Sequence, residues 1–281
     1  MILGIVGMGY VGTALKEGFK SLYKIETFDL NPALRTCDSV KSVFNKSNII
    51  FLSLPTPMKN NGSCDLSIIE NTIKKINEFV DSKSDKIIVI KSTIPPGTTD
   101  LFNKKYKNLN IIFNPEFLTE ANFIDDFINQ NRIILGGSED ICKKVKSIYT
   151  KVFSKSLIII TQPTYAEMVK YLSNTYLATK VSFANEMKII CDKLDINYDK
   201  VIEYAMHDSR LGESHWSVPG PDGKLGFGGS CFPKDINAII CLASELGIDA
   251  KILKSVWNTN LKVRPEKDWE KLKGRAVSEN G

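Results

Sequence analysis

The stretch Gly226-Phe227-Gly228-Gly229-Ser230-Cys231-Phe232-Pro233-Lys234-Asp235 holds the residues best suited to covalent chemistry. Its glycines keep the backbone open just before a helix begins, and Cys231 stands at that junction. A thiolate there gains from the helix N-terminal field and from Lys234, both of which lower a thiol pKa. An isolated cysteine is normally a small buried hydrophobe. The flexible, polar setting of Cys231 favours a nucleophile instead. The cysteines at 37, 64, 142, 191 and 241 have ordinary surroundings and no metal-type CxxC spacing. With His207 and His215 as the two histidines, a His-based metal site is not expected either.

Two further groupings could support such a nucleophile. In Asn114-Pro115-Glu116-Phe117-Leu118-Thr119-Glu120, proline suits a first helical turn, which would set Glu116 and Glu120 on one helix face four residues apart. Two carboxylates there could act in catalysis or could simply complement a helix dipole. Lys170 and Asn174 are also one turn apart, on a long helix. Such a pair is usually a solvated face. Turned inward, it would be a preorganised oxyanion stabiliser.

The N-terminus carries a different chemistry. Gly7-Met8-Gly9-Tyr10-Val11-Gly12 follows a strand and opens a helix. The first glycine permits a tight turn, the second lets a pyrophosphate approach the backbone, and the third lets helix and strand pack closely. Asp29, at the end of the second strand, is placed to bind a ribose diol and would repel a 2′-phosphate, so NAD is expected rather than NADP. The alternative is that the glycines form only a tight turn. Pro55-Thr56-Pro57 and Ser92-Thr93 end two more strands, where an open parallel sheet lines its ligand crevice. Pro95-Pro96-Gly97 reads as a plain turn.

The elements that must position these residues follow from hydrophobic pattern. Strands are expected at Ile2–Val6, Ile25–Asp29, Ile49–Leu54, Lys86–Lys91, Asn110–Phe113, Arg132–Leu135 and Ser156–Ile160. Their runs are continuously apolar, as strands buried on both faces must be, and helical stretches separate most of them. The expectation is an α/β fold: a Rossmann-like, doubly wound, mostly parallel sheet over residues 1–162. A helical domain over 163–265 follows and carries Cys231. Its main element is one long helix from Tyr165 to about Leu194, some eight turns or about 45 Å. Met168, Leu172, Tyr176, Phe183, Met187 and Ile190 line one side of it, and Val169, Leu177 and Val181 a second, so packing on more than one side is expected. Shorter helices are expected at Tyr198–Ala205, Lys234–Leu246 and Ala250–Arg264, with a tail over 266–281.

Composition excludes several classes. Of 281 residues, 43% are hydrophobic and 25% charged, which is ordinary for a globular chain and unlike disordered or collagen-like ones. No apolar run approaches a membrane span, and the N-terminus reads as a strand rather than a signal peptide, so a cytoplasmic protein with reduced cysteines is expected. The net charge of +5 is spread along the chain without the patch that nucleic-acid binding needs, and it suits an anionic small molecule.

These motifs together resemble the UDP-glucose/GDP-mannose dehydrogenase family. The resemblance runs in order through the glycine motif, Pro55-Thr56-Pro57, Lys91-Ser92-Thr93-Ile94-Pro95-Pro96-Gly97-Thr98-Thr99 and Asn114-Pro115-Glu116-Phe117-Leu118. It continues through Glu167, Lys170 and Asn174, Asn185-Glu186, and the Cys231 stretch. It implies oxidation of a sugar-nucleotide CH₂OH to a carboxylate with two NAD⁺, UDP-glucose being the expected substrate. By the resemblance, Lys170 and Asp235 help remove the alcohol proton, and Cys231 forms a thiohemiacetal and then a thioester. Lys170 and Asn174 stabilise oxyanions, Glu116 activates water held by Thr93, and Glu120 supports the site.

Cofactor contacts are implied for Gly7, Gly9, Tyr10, Val11, Gly12, Asp29, Pro55, Thr56, Ser92, Thr93, Glu120 and Lys234. Substrate contacts are implied for Glu116, Phe117, Leu118, Lys170, Asn174, Phe227, Gly228, Gly229 and Cys231. A homodimer through the 165–194 helix is implied as well. Family members usually continue into a second Rossmann-like, nucleotide-binding domain, which would begin near Trp269–Arg275. This sequence stops soon after, so the 210–227 loop or a separate partner could take over part of the binding. GDP-mannose or a UDP-N-acetylhexosamine is the alternative substrate. A non-catalytic NAD or sugar-nucleotide binding protein is the alternative of another class. A two-electron β-hydroxyacid dehydrogenase would have no use for Cys231.

Overall fold

A computed structural model of the chain describes residues 1–279. The chain divides into two compact units. One comprises Met1–Thr56 and Leu66–Lys170, the other Pro57–Asp65 and the chain from Tyr171 onward.

The first unit is built on seven strands: β1 (Ile2–Val6), β2 (Lys24–Phe28), β3 (Ile49–Leu52), β4 (Ile87–Ile90), β5 (Asn110–Phe113), β6 (Arg132–Gly136) and β7 (Leu157–Thr161). They form one sheet in the order β2-β1-β3-β4-β5-β6-β7. All pairs are parallel except β5–β6, which meet antiparallel at Phe113 and Gly136. This is the α/β class that the alternation of apolar runs and helical stretches predicts. Ile, Val, Leu and Phe fill β3 and β4 completely, and every residue of both strands is buried. Successive side chains point to opposite faces. Leu3, Ile5, Phe51 and Val89 therefore join Leu15, Phe19, Phe127 and Tyr149 in one core. Ile50, Leu52, Ile88 and Ile90 join Ile69, Ile73 and Phe102 in the other. The edge strand β7 departs from the pattern, because Leu157 and Ile159 are exposed.

Helices α1 (Tyr10–Phe19), α2 (Val40–Lys46), α3 (Ser67–Asn77), α4 (Thr98–Lys105), α5 (Phe123–Ile128) and α6 (Glu139–Val152) lie between the strands in sequence. Gly97 is more than a plain turn residue: at φ +94° it is the N-cap of α4. The buried Glu167 carboxylate accepts from its N–H at 2.6 Å and from that of Thr99 at 2.9 Å. A negative group there satisfies two otherwise orphaned donors and complements the helix dipole.

One helix, α7 (Pro163–Lys193), begins in the first unit and continues into the second. The second unit adds α8 (Tyr198–Ala205), α9 (Phe232–Glu245) and α10 (Lys251–Val263). Ala178, Phe227, Ile236 and Val256 form one of its small cores, and Ala184, Cys191, Tyr198 and Val218 another. Much of the inward side of α7 is thus small or polar, with the buried Tyr171 as a large exception. The large residues Leu172, Tyr176, Phe183 and Ile190 are exposed, whereas Met187 packs against the second of these cores. Among the described residues no helix is long and apolar enough to cross a membrane.

Candidate active site

The glycine turn closes on β3. Gly7 has φ +91°, and a Cβ there would lie 2.4 Å from the Ser53 carbonyl oxygen. A Cβ on Gly12 would come within 1.9 Å of the Gly7 oxygen, so both positions exclude any side chain. Around Gly9 the situation is reversed: a Cβ would meet nothing within 4 Å. That open space beside the N-terminus of α1 is what a pyrophosphate requires. Asp29 immediately follows β2, and its carboxylate accepts from the Met8 N–H at 2.7 Å and the Asn31 N–H at 2.8 Å. The acidic residue is thereby tied to the glycine turn. Tyr10 and Val11 open α1, Tyr10 with its ring 5.0 Å from that of Phe123 and Val11 against the core. The residues fit a dinucleotide with a free ribose diol.

The ends of β3 and β4 are joined by the Thr56 hydroxyl, which donates to the Thr93 carbonyl at 2.8 Å. Thr56 and Thr93 are buried, Ser92 is half-buried and Pro55 is exposed.

The segment after β5 corrects one expectation. Residues 114–119 form no helix; the next helix, α5, starts at Phe123. Local carboxylate and lysine contacts hold this segment in an extended turn instead. Glu116 Oε2 accepts from the Leu118 N–H at 2.7 Å, while Lys91 Nζ lies 3.3 Å from the Pro115 oxygen. Glu116 and Glu120 therefore do not share a helix face. Glu116 is turned inward and Glu120 is exposed.

Lys170, at the start of α7, donates to Glu116 Oε1 at 2.8 Å, and both side chains are buried. Burial alone would raise the Glu116 pKa, but the charge and hydrogen bond of Lys170 outweigh it. With help from the Leu118 N–H and Lys91, they hold the group below its ordinary value. Lys91, Glu116, Phe117, Leu118 and Arg132 line a cleft of about 470 Å³. The Arg132 guanidinium stacks 4.2 Å from the centre of the Phe117 ring.

In the second unit, Cys231 is the N-cap of α9, with Pro233 in the first turn. Its carbonyl accepts from the Asp235 N–H at 3.0 Å. The Asp235 carboxylate is almost fully buried and takes two partners, Lys234 and the Asn174 amide, the latter at 2.6 Å. Asn174 thus faces inward, with its amide on the buried Asp235 carboxylate. Burial works to lower the Lys234 pKa; Asp235, Cys231 and Cys64 overcome it and raise the value, so Lys234 remains a cation.

The glycine loop before Cys231 is held by residues to which the sequence alone assigned no role. Asn260 Oδ1 accepts from the Phe227 N–H at 2.7 Å, and its amide donates to the Phe227 carbonyl at 3.0 Å. Asn185 Oδ1 accepts from the Gly226 N–H at 3.1 Å. The buried Arg264 donates to the Leu225 carbonyl and to Asp222 and Asp268. A Cβ on Gly228 would strike its guanidinium at 2.4 Å. Val256, Asn260 and Arg264 recur every four residues and are all buried. Two polar residues continuing an apolar face were the available signal.

Residues 17–153 match the NAD binding domain of the UDP-glucose/GDP-mannose dehydrogenase family, and residues 164–262 match its central domain. A UDP-glucose 6-dehydrogenase of Rickettsia typhi is 36% identical over 228 residues, covering 79% of this chain and 51% of that protein. A putative UDP-glucose 6-dehydrogenase of Bacillus subtilis is 32% identical over 297 residues, covering 92% and 67%. The solved structure of a UDP-glucose dehydrogenase from Pyrobaculum islandicum aligns with a TM-score of 0.85 at 28% identity, over 96% of this chain and 70% of that one. The chain spans about half the length of several of the curated relatives it matches. Both of its parts match in order, and the chain belongs to the UDP-glucose/GDP-mannose dehydrogenase family.

Proposed function

We propose that the protein oxidises the primary alcohol of a sugar nucleotide to a carboxylate in two NAD-dependent steps, with UDP-glucose converted to UDP-glucuronate. The observation that carries the reading is the Cys231 constellation: a cysteine capping α9 beside a cationic Lys234, with an Asn174–Asp235 hydrogen bond in the same unit. A β-hydroxyacid dehydrogenase needs no such thiol. The names of the relatives support the substrate class.

NAD⁺, when bound, accepts one hydride in each step. Gly7, Gly9, Gly12 and Asp29 bind it, with Tyr10, Val11, Pro55, Thr56, Ser92, Thr93, Glu120 and Lys234 as further contacts. Asp235 and Lys170 draw off the alcohol proton while the first hydride leaves, giving an aldehyde. The Cys231 sulfur adds to the aldehyde carbon, and the resulting thiohemiacetal presents a C–H bond for the second hydride. Its loss leaves a thioester. Lys170 and Asn174 stabilise the negative oxygen that forms during these steps.

Glu116 is ionised, so it can take a proton from a water that attacks the thioester; Thr93 holds that water and Glu120 supports the site. The C–S bond then breaks, the thiolate returns and the carboxylate is released. Phe117, Leu118, Phe227, Gly228 and Gly229 contact the substrate. The exposed large residues of α7 support a homodimer.

The test is the amount of NADH formed per UDP-glucose consumed, compared between the wild type and Cys231→Ser. Two NADH per sugar, with the variant halted, is the expected result. One NADH per sugar overturns the thioester route. NAD binding without turnover on UDP-glucose, GDP-mannose or a UDP-N-acetylhexosamine leaves a binding protein.

A further inference from the structure

Lys91 follows β4 and is 3% exposed. Among the described residues it makes no ion pair within 4.0 Å. Its Nζ donates to the Asn114 side-chain oxygen at 2.9 Å and lies 3.3 Å from the Pro115 carbonyl, which uses two of its three hydrogens on neutral acceptors. Asn114 is itself fully engaged. Its oxygen also accepts from the Tyr149 hydroxyl at 2.6 Å, and its amide donates to the Ile134 carbonyl at 2.8 Å. This buried network joins β4, β5, β6 and α6, and it anchors the turn from which Glu116 projects.

We infer that Lys91 is a positioning residue for Glu116, tying down the Asn114–Pro115 turn and adding a second positive charge that favours the carboxylate. Lys91 and Glu116 line the same cleft. The charged groups facing Lys91 are Glu116, on the turn after β5, and Lys170, on α7. Tyr149, on α6, reaches it through Asn114. Burial and Lys170 press the proton off Lys91 and Glu116 holds it on, which brings its pKa down to about 7. The field at Glu116 therefore weakens as pH rises through neutrality, when Lys91 loses its charge and Lys170 remains the partner. In the reaction proposed above, on which this consequence rests, water activation at the thioester would change in the same pH range.

The test is an NMR titration of protein labelled with ¹³C in the lysine and glutamate side chains. Lys91 is assigned by loss of its signal in Lys91→Met or Lys91→Arg, and Glu116 in Glu116→Gln. The expected result is a Lys91 midpoint near 7 in the wild type. In Lys91→Met the Glu116 midpoint should rise by about half a pH unit or more. Lys91→Arg, which keeps the charge, should restore it. A Lys91 midpoint near the ordinary lysine value of about 10.4 overturns the pH dependence of the field at Glu116. A Lys91→Met protein of lower melting temperature whose Glu116 midpoint has not moved overturns the inference itself, because a purely structural role predicts that result.

The titrations use the free protein and need no turnover. Failure to oxidise any sugar nucleotide would sink the catalytic reading of Glu116 and leave the coupling to Lys91 measurable. If turnover is present, Lys91→Met should slow the steady state about tenfold after an initial burst of NADH, with KM for the sugar nucleotide little changed.

Discussion

Glu116 lies between two lysines, and the sign of its shift determines how the fold responds to acid. Burial raises its pKa, but the pairing with Lys170 prevails and the folded value is depressed. The folded state then binds fewer protons than the unfolded chain between the folded pKa and the unfolded value of about 4.3. The stabilisation is complete above that unfolded value and disappears as pH falls through the folded one. Removing one partner of a buried pair costs about 3–5 kcal/mol. Glu116→Gln should show a loss of that order by urea denaturation at pH 7, and the deficit should shrink as pH falls below about 4.3. A deficit constant from acid to neutral pH would point to packing rather than charge. Glu116 was legible as an acidic residue near a strand end. Its partners were not, because spacing along the chain does not bring Lys91 at the end of β4 or Lys170 on α7 to the turn after β5.

The glycine turn separates two roles that are alike in sequence. Gly12 is excluded from carrying a Cβ by the Gly7 carbonyl, whereas Gly9 has open space and φ −69°, which alanine adopts freely. Gly12→Ala should therefore destabilise the first unit outright. Gly9→Ala should leave the melting temperature nearly unchanged and weaken NAD binding about tenfold or more, as isothermal titration would read. Equal losses of stability in both variants would contradict the assignment of Gly9 to the pyrophosphate. Strand, turn, helix and acidic residue were all readable here because they are local. At the segment after β5 local reasoning failed: proline and two acids suggested a helix start, and contacts to Leu118 and Lys91 drew the backbone into another course.

Across the whole molecule, the second unit buries mostly small and polar residues of α7, together with Tyr171, and leaves Leu172, Tyr176 and Phe183 more than half exposed. Large apolar side chains recurring along one exposed helix face suit an interface. Sedimentation should give a dimer at micromolar concentration, and Leu172→Glu combined with Phe183→Glu should give a folded monomer. A monomeric wild type would overturn the proposed dimer. The apolar repeat on this helix was plain in the sequence, but not its direction: Leu172 faces outward, while Ala178, Ala184 and Cys191 pack inward.

The sequence by itself determined the α/β class, all seven strands to within a few residues, the long helix and the glycine turn with Asp29. These depend on patterns that repeat every two or every few residues, or on backbone conformations that few residue types can adopt. The Cys231 stretch was equally legible, since a helix N-terminus is defined by its own neighbours. Tertiary structure alone decided which side chains meet. It joined Asn174 to Asp235, Lys170 to Glu116, Lys91 to Asn114, and Asn260 and Arg264 to the glycine loop. Each of these contacts spans 20 or more residues of chain. Whether a polar group at such a distance finds a partner depends on sheet order and helix packing, which no local pattern encodes.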